Sequence, residues 1–467
     1  MKHKGYEPIV GLELHVELKT EKKAFCDCSA EFGGDVNTKC CPVCLGKGGR
    51  PVYNPEAHER GIAAALALEC EIAEVSFFDR KHYVSRDLPK GYQITQYYTP
   101  LAQNGYVSVN VDGREKAVAI QRIQLEEDAG RVVRRTDGEI IDFNRCGIPL
   151  IEIITSPVIR SGEEAEAVVE EIRRKLLFAG VSDCKMNEGS LRCDVNVSVR
   201  PVGSSTLGNR CEIKNIGSVD GVGRAIAHET ERQTEIILQG GTVTVETRRF
   251  DEKSGTTVRM RDKETAGDYG YVRDEELAPL VTDEKTVDMV RRFMPASYAE
   301  REKILLSAGV SDQNVSVILS SVESADYFER VMSLNVPVAA AANLFVSDVY
   351  TAWDNRPKAE AFAECVKLYA SGNVTVMSAR ELIKLSAETG EDPQALAEKR
   401  GMLTVRDEGV IASLVNEAAN ACPKAVDDVK RGKDAAKKVL VGYVMRLSRG
   451  RADPVSVNKA VDKYFEK

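Results

Sequence analysis

The chain has 467 residues, of which 43% are hydrophobic and 29% charged, and its formal net charge at pH 7 is −8. This composition is typical of a globular protein of several domains, and the negative charge excludes a protein that coats nucleic acid over its whole surface. The N-terminal sequence lacks the apolar core of a signal peptide, the longest apolar stretch (VPVAAAANLFV) is too short to span a bilayer, and the twelve cysteines do not resemble a secreted disulfide framework. We therefore expect a cytoplasmic protein.

Residues 8–18, PIVGLELHVEL, are the first predicted element. Apolar residues occupy every second position from Val10 to Leu18 and face one way, as in a half-buried strand. The opposite face carries Glu13, His15 and Glu17. This pattern predicts a strand whose polar face is open to a ligand.

Four cysteines follow the strand in a C-x-C pair and a C-x-x-C pair: Cys26, Cys28, Cys41 and Cys44. Two such pairs supply the four corners of a tetrahedral site without straining the chain, so we predict structural Zn²⁺. Cys40 is left as a spare, because a knuckle normally spaces its two cysteines by two residues. The alternative is a group of reduced, unpaired thiols.

Two helices and a second strand have clear local signals. Asn54 precedes Pro55 and caps one helix, and Ser161 with Glu164 forms a capping box for a helix that ends near Gly180. The segment LRCDVNVSVR, residues 191–200, alternates like the first strand. We therefore predict an α+β fold, with a largely antiparallel sheet that has one face on a core and one face open.

Carboxylates recur at two further places. The run QLEEDAGR contains Glu126, Glu127 and Asp128, and Glu152 lies among isoleucines in GIPLIEIITSP. An ionised carboxylate in apolar surroundings needs a cation or a hydrogen-bond donor. Together with His15, these groups suit a Mg²⁺ ion that bridges nucleotide phosphates.

Each of these groups has a simpler interpretation as well. A histidine on a strand is more often a hydrogen-bonded residue, the Glu-Glu-Asp run is more often a solvated turn, and Glu152 can pair with Arg145. Spatial convergence decides between these interpretations, and a linear sequence does not display it.

Cations that can meet phosphates lie between the acidic groups: Lys81, Lys90, Lys214, Arg248 and Arg249. Taken singly, each is also compatible with an ordinary surface charge. Neither a G-x-x-x-x-G-K-[ST] loop nor a G-x-S-x-G elbow occurs, so ATP use requires another architecture and nothing indicates an esterase-type nucleophile.

Composition predicts three domains, at residues 1–295, 296–407 and 408–467. The first is mixed, the second is rich in alanine and leucine at helical spacing, and the third is a small helical unit. Between residues 424 and 467, twelve lysines and arginines stand against six acidic residues. The densest cations, which we predict to bind nucleic-acid phosphates, are Lys430, Arg431, Lys433, Lys437 and Lys438. A solvated helix face is the alternative.

These segments, in this order, resemble the family of B subunits of glutamyl/aspartyl-tRNA amidotransferases. The matching strings include IVGLELHVELKT, CPVCLG, DLPKGYQITQ, IQLEEDAGR, FNRCGIPLIEI, LRCDVNVSVRP and the basic tail, and they cover essentially the whole chain. The resemblance implies a catalytic cradle related to glutamine synthetase over 1–295 with a zinc knuckle, then a helical domain, then a tail domain that contacts tRNA.

The resemblance also implies a reaction. A protein of this family binds mischarged Glu-tRNA(Gln) or Asp-tRNA(Asn), phosphorylates its side-chain carboxylate with ATP, and lets ammonia displace the phosphate. A partner A subunit releases the ammonia from glutamine, and a small C subunit supports the heterotrimer. Carried over to this sequence, the Mg²⁺ ligands are His15, Glu127 and Glu152, with Glu13 nearby and Asp194 as a further acidic participant.

Two other functions remain open from the residues: a non-catalytic tRNA-binding protein that uses the zinc knuckle and basic tail, and a free-standing amide ligase that acts on a small acid. The sequence differs from the family pattern at 84–86, 216–221 and 270–273, where aromatic residues and prolines are replaced. We expect the reaction to be retained with an altered pocket lining.

Overall fold

The computed structural model describes residues 5–136, 138–262, 270–448 and 450–466. Over these residues the chain forms two compact units, Met1–Ser297 and Tyr298–Lys467. Within the described ranges, no helix is long and apolar enough to cross a membrane.

The first unit is built on β-strands. They are β1 (Tyr6–Glu17), β2 (Glu71–Ile72), β3 (Val75–Ser76), β4 (Asp79–His82), β5 (Tyr92–Thr95), β6 (Ala102–Val111), β7 (Arg114–Glu127), β8 (Arg131–Arg135), β9 (Gly138–Asp142), β10 (Pro149–Thr155), β11 (Leu191–Pro201), β12 (Cys211–Lys214), β13 (Glu246–Asp251), β14 (Thr256–Asp262), β15 (Gly270–Arg273) and β16 (Leu280–Val281).

Nine of these strands form one large sheet in the order β14-β13-β12-β11-β1-β10-β7-β6-β2. The described pairs in this sheet are antiparallel, apart from the parallel pair β12–β13. A smaller sheet has the order β15-β4-β5. Strand β1 lies in the middle of the large sheet, between β10 and β11, so both of its edges are paired.

Four helices accompany these strands: α1 (Pro55–Ala67), α2 (Gly162–Phe178), α3 (Val219–Leu238) and α4 (Glu284–Phe293). Contacts of α2 with β6 and of α3 with β11 cover the apolar face of the large sheet. The core between them contains Val10, Leu14, Val168 and Ile226, all essentially inaccessible to solvent. The other face of the sheet is left for polar groups.

The local predictions for this unit are confirmed. The alternating apolar residues of the two predicted strands are buried, from Val10 to Val16 in β1, with Leu18 directly after it, and from Leu191 to Val199 in β11. Asn54 accepts a hydrogen bond from the Glu56 N–H at 3.0 Å, as an N-cap does. Ser161 accepts one from the Glu164 N–H at 3.1 Å.

One detail of the second cap differs from a reciprocal capping box. The Glu164 carboxylate accepts from the backbone N–H of Arg160 at 2.7 Å, one residue before the cap. The first turn of α2 keeps its bond to the Ser161 side chain, and the Glu164 carboxylate in addition accepts from a backbone N–H that precedes the helix.

The second unit is helical. Its α-helices are α5 (Tyr298–Ser307), α6 (Asp312–Ile318), α7 (Val322–Met332), α8 (Val338–Leu344), α9 (Ala359–Ala370), α10 (Val376–Thr389), α11 (Pro393–Lys399), α12 (Glu408–Ala421), α13 (Pro423–Lys430), α14 (Lys437–Leu447) and α15 (Pro454–Phe465). A separate hydrophobic cluster joins α12, α14 and α15 through Ile411, Leu440 and Val457.

The α+β fold class is thus confirmed: a large, mainly antiparallel sheet is combined with many helices. The likeness of the first unit to a glutamine-synthetase cradle stays a prediction. So does the finer division of the second unit at residue 407.

Candidate functional site

Acidic groups from three strands meet on the open face of the large sheet. The antiparallel register places His15 of β1 directly opposite Glu152 of β10, and Glu13 lies two residues before His15 on the same face. Ligand atoms of Glu13, His15 and Glu152 all lie within 4.8 Å of one another. The Nε2 atom of His15 is 3.9 Å from a Glu126 oxygen on β7. We call these four residues the acid–histidine cluster.

Hydrogen bonds from the sheet hold Glu126 in the cluster. Its carboxylate accepts from Thr95 Oγ1 at 2.6 Å, from Gln124 Nε2 at 2.9 Å and from Gln93 Nε2 at 3.2 Å. Gln124 Nε2 also donates to the carboxylate of Glu152. One amide therefore fixes two carboxylates of the cluster relative to each other.

The concentration of negative charge has an electrostatic cost. Burial raises the pKa of Glu152 well above its ordinary value, and the charges of Glu126 and Glu13 raise this pKa further. Lys81 opposes that effect. A cation at this place would favour the ionised form of the carboxylates.

The donor set fits a hard divalent cation. His15 Nε2 lies 3.8 Å from Glu152 Oε1, which is too long for a hydrogen bond. Two ligands that each lie about 2.1 Å from a Mg²⁺ ion can be up to about 4.2 Å apart. In addition, Oε1 of Gln124 is buried beside the cluster without a hydrogen-bond partner in the part of the chain that the structure describes. Oxygen-rich ligands with one imidazole and a spare acceptor suit such an ion.

Glu127, expected to bind the metal, is placed on the other face of the sheet. It has the same parity along β7 as Ile123 and Leu125, which are both buried in the core. Its carboxylate accepts from Lys90 Nζ and from the Ile94 N–H at 2.9 Å. The structure thus brings Glu126 to the cluster in place of Glu127.

The simpler interpretations of the acidic residues are wrong in two respects. Glu126, Glu127 and Asp128 are buried, so they do not form a solvated turn. Arg145 does not pair with Glu152, because its guanidinium binds Asp128 at 2.6 Å and Glu17 at 2.7 Å.

A cavity of ≈ 530 Å³ opens onto the cluster, and its wall carries both charge signs. Lys81, Lys214, Arg192 and Asp194 line it together with Glu13 and His15. Lys214 donates to Asp194. Burial opposes the charged form of Lys214, but the carboxylates of Asp194, Glu212 and Glu13 outweigh burial and raise its pKa. Fixed ammonium groups thus border the acidic cluster.

Two of the other three predicted phosphate-binding cations, Lys90 and Arg248, are held by other groups. Lys90 is nearly buried, and its ammonium is bound to Glu127. Arg248 shares the helix-facing side of β13 with Phe250, where it binds Thr257 Oγ1 at 2.9 Å and the carboxylate of Glu246. Neither side chain lines the cavity.

Several residues of this site are not among those selected from the sequence. The acidic run contains Glu126, but the ligand taken from that run is Glu127. Gln124 also belongs to the site, as does Arg192, whose guanidinium binds Asp128 at 3.0 Å. Tyr271 stacks on Tyr97 with ring centroids 3.9 Å apart. Burial raises the pKa of Tyr271, and the charges of Glu126 and Glu152 raise it further. Strand parity was the signal available for Glu126, since inward Ile123 and Leu125 leave it on the open face.

The four predicted zinc ligands also come together. Cys26, Cys28, Cys41 and Cys44 place their sulfur atoms within 4.8 Å of one another. Cys40 is outside this group, with its thiol 3.8 Å from Asn144 Oδ1. Hydrogen bonds from the Cys26 thiol and the Cys41 backbone, with the nearby charge of Lys23, hold the pKa of Cys44 at about 4. The cysteine group could therefore hold a metal ion through thiolates.

The predicted tail cations differ in their surroundings. Lys433 pairs with Asp428 at 3.0 Å, and Lys437 pairs with Asp462 at 3.0 Å. Three others are exposed and have no carboxylate within 4.0 Å among the described residues: Lys430, Arg431 and Lys438.

Comparison with known proteins identifies the family and the relatives of this chain. Residues 8–288 match the family described as "GatB/GatE catalytic domain", and residues 326–465 match the "GatB domain". The chain is 41% identical to the B subunit of the aspartyl/glutamyl-tRNA(Asn/Gln) amidotransferase of Caldicellulosiruptor saccharolyticus, over 99% of each chain. It is 40% identical to the protein of the same name from Carboxydothermus hydrogenoformans, over 97% of this chain and 98% of that one.

A divalent-cation titration tests the acid–histidine cluster. With Mn²⁺ as a paramagnetic probe of the full-length chain, we expect Glu152→Gln to weaken binding by more than about tenfold, because loss of outer-shell partners alone costs about 10–100-fold. The matched control is Glu7→Gln. Glu7 lies on the same strand as His15, but its carboxylate binds Arg200 at 2.8 Å and not the cluster. Equal Mn²⁺ affinity in the two variants would contradict the assignment.

The adjacent residues Cys40 and Cys41 provide a matched test of the four-cysteine group. We expect Co²⁺ added to the metal-free chain to produce the absorption of a tetrahedral thiolate site, and Cys41→Ser to abolish that spectrum. Cys40→Ser should retain it, since the Cys40 sulfur lies outside the group. A spectrum that depends on Cys40 and not on Cys41 would refute this ligand set.

Proposed function

The chain belongs to the GatB/GatE family of tRNA-dependent amidotransferase subunits, and on that premise we propose that it converts mischarged Glu-tRNA(Gln) or Asp-tRNA(Asn) into the amidated product. In this proposal the γ-phosphoryl group of ATP passes to an oxygen of the aminoacyl side-chain carboxylate, which gives ADP and an acyl phosphate. Ammonia then attacks the carbonyl carbon, the carbon–oxygen bond to phosphate breaks, and the amide forms.

The convergence of the acid–histidine cluster carries this proposal. Carboxylates from β1, β7 and β10 that meet on one sheet face serve no purpose in a protein that only binds tRNA, because they repel phosphates unless a cation intervenes. Glu13 and His15 of the cluster line an open cavity, and this access to a ligand supports phosphoryl transfer instead.

In this proposal, negatively and positively charged residues of the chain have different roles. Glu13, His15, Glu126 and Glu152 would hold Mg²⁺, which when bound neutralises the charge of the phosphates. Lys81 and Lys214 would orient the nucleotide from the cavity wall and stabilise charge that develops on the transferring group. Gln93, Thr95 and Gln124 keep the carboxylates in one arrangement, so little reorganisation accompanies the reaction.

Apolar side chains of the cavity would protect the reactive intermediate. Leu150 and Ile216 line the same cavity as the charged groups, and both are buried. An acyl phosphate is hydrolysed by water, so its lifetime depends on excluding water while ammonia enters. We propose that the ammonia comes from glutamine hydrolysed by a partner A subunit, within a heterotrimer completed by a small C subunit.

The cysteine group would hold structural Zn²⁺. Four protein ligands leave no open coordination position, which suits a structural role and not a catalytic one. The exposed tail cations Lys430, Arg431 and Lys438 would contact tRNA phosphates, which position the substrate without defining the chemistry.

Loss of the metal ligands tests the proposed reaction. In the reconstituted heterotrimer with Glu-tRNA(Gln) and ATP, we expect His15→Ala or Glu152→Ala to abolish tRNA-dependent ADP formation. The tRNA Kd should stay within about twofold, because the mutated groups hold a cation and not the tRNA backbone.

Glu7→Gln serves again as the control and should retain full turnover. Full activity in either cluster variant would refute the proposal. ADP formation at the same rate without tRNA would indicate a ligase for a small acid, and tRNA binding without any ADP formation by the unaltered complex would indicate the non-catalytic alternative.

Neighbouring lysines test the tail. Lys438→Ala removes an exposed cation, and we expect it to weaken tRNA binding and to lower the slope of log Kd against log salt by about 0.7–0.9, the effect of one phosphate contact. Lys437→Ala removes a cation already paired with Asp462 and should change this slope little. Equal slopes in both variants would show that the tail cations do not bind phosphates.

A further inference from the structure

Lys23 is a lysine with no solvent exposure, which is rare for this residue type. Its side chain extends from the segment after β1 into the region of the cysteine group. There Nζ donates to the Lys39 carbonyl at 2.7 Å and to the Phe143 carbonyl at 3.5 Å, and it lies 4.0 Å from Cys44 Sγ.

No carboxylate among the described residues lies within 4.0 Å of this ammonium. Two carbonyl dipoles replace water around it but bring no net negative charge. Burial of an unpaired ammonium is strongly unfavourable, so a compensating anion is required nearby. The sulfur atoms of the cysteine group are the groups in contact that can supply one.

We propose that Lys23 is the counter-cation of the four-cysteine metal site, a positioning residue that touches no substrate and that stabilises the metal-loaded thiolates. Four thiolates around a divalent cation carry a net charge of −2. Cys44 is buried and the other three cysteines are half-buried, so this charge is costly, and one fixed ammonium at 4.0 Å from Cys44 Sγ halves it. The inference rests on the proposed metal site.

The contacts of Lys23 also join three segments of chain. Lys39 belongs to the loop between the two cysteine pairs, and Phe143 precedes β10, the strand that carries Glu152. The Ala24 N–H donates to the Gly147 carbonyl at 2.8 Å, and the Cys146 thiol donates to the Cys44 carbonyl at 3.4 Å. The counter-cation therefore lies where the knuckle meets the start of β10.

Charge can be separated from hydrogen bonding by Lys23→Gln in the full-length chain. Glutamine retains a donor for the Lys39 carbonyl but removes the positive charge. We expect zinc transfer from the loaded variant to a colorimetric chelator to be about 10–100-fold faster than from the unaltered chain, as for other outer-shell partners of metal sites. Lys22→Gln is the matched control, because Lys22 is the adjacent lysine, is exposed and pairs with Asp27 at 2.7 Å. The rate of zinc transfer from this control variant should match that from the unaltered chain.

A variant that loses its fold would also release zinc, so hydrogen exchange of peptides from β1 and β11 is measured on the loaded proteins. Faster release with unchanged protection of these strands supports the proposal. If Lys23→Gln does not fold, Lys23→Met replaces it under the same criteria, and failure of both to fold in the presence of excess zinc overturns the proposal in favour of a general structural role.

Equal release rates for Lys23→Gln and the unaltered chain overturn the counter-cation assignment alone. An unaltered chain that takes up no zinc overturns the metal site itself. The two failures are therefore distinguishable.

Discussion

The register of β1 between β10 and β11 is the constraint on which the site depends. Antiparallel pairing on both edges sets His15 across from Glu152 on one side and Glu13 across from Asp194 on the other. Side chains alternate along a strand, so a slip of one residue would turn these groups toward the core and expose Leu14. The burial of the apolar face therefore fixes the position of the open face that carries the acid–histidine cluster, so the stability of the sheet and the geometry of the cluster depend on one register.

Charge balance explains why the acidic residues of this face fall into two classes. Asp128 is neutralised by Arg145 and Arg192, which outweigh its burial and lower its pKa. In the acid–histidine cluster, Lys81 opposes the effect of the neighbouring carboxylates on Glu152 without outweighing it, and the pKa of Glu152 rises. Paired carboxylates stiffen the sheet, whereas the cluster keeps an unbalanced negative charge that a cation can satisfy. Lys23 is the opposite case: a buried positive charge that has no carboxylate within 4.0 Å among the described residues.

Local structure was predictable from the sequence because it depends on local signals. Alternation predicted both central strands, and side-chain caps predicted the starts of α1 and α2. The structure places Glu127 and Arg248 away from the acid–histidine cluster. The sequence already held this information, since each residue shares its strand parity with inward apolar neighbours. Strand order and the parallel β12–β13 pair were beyond reach, because they depend on non-local packing that no short pattern records.

The departures from the family pattern include two arginines, Arg86 and Arg273, that lie outside the cavity. Arg273, on the small sheet, lies 3.9 Å from the ring centroid of Phe77 and 3.8 Å from Asp79, and Arg86 binds Glu139 at 2.8 Å. Each arginine is thus held by neighbouring groups, and neither lines the cavity. Since neither adds positive charge beside the acid–histidine cluster, the cluster keeps the negative charge on which its proposed cation depends. Substitutions at these two positions therefore leave in place the charge on which the proposed phosphoryl transfer depends.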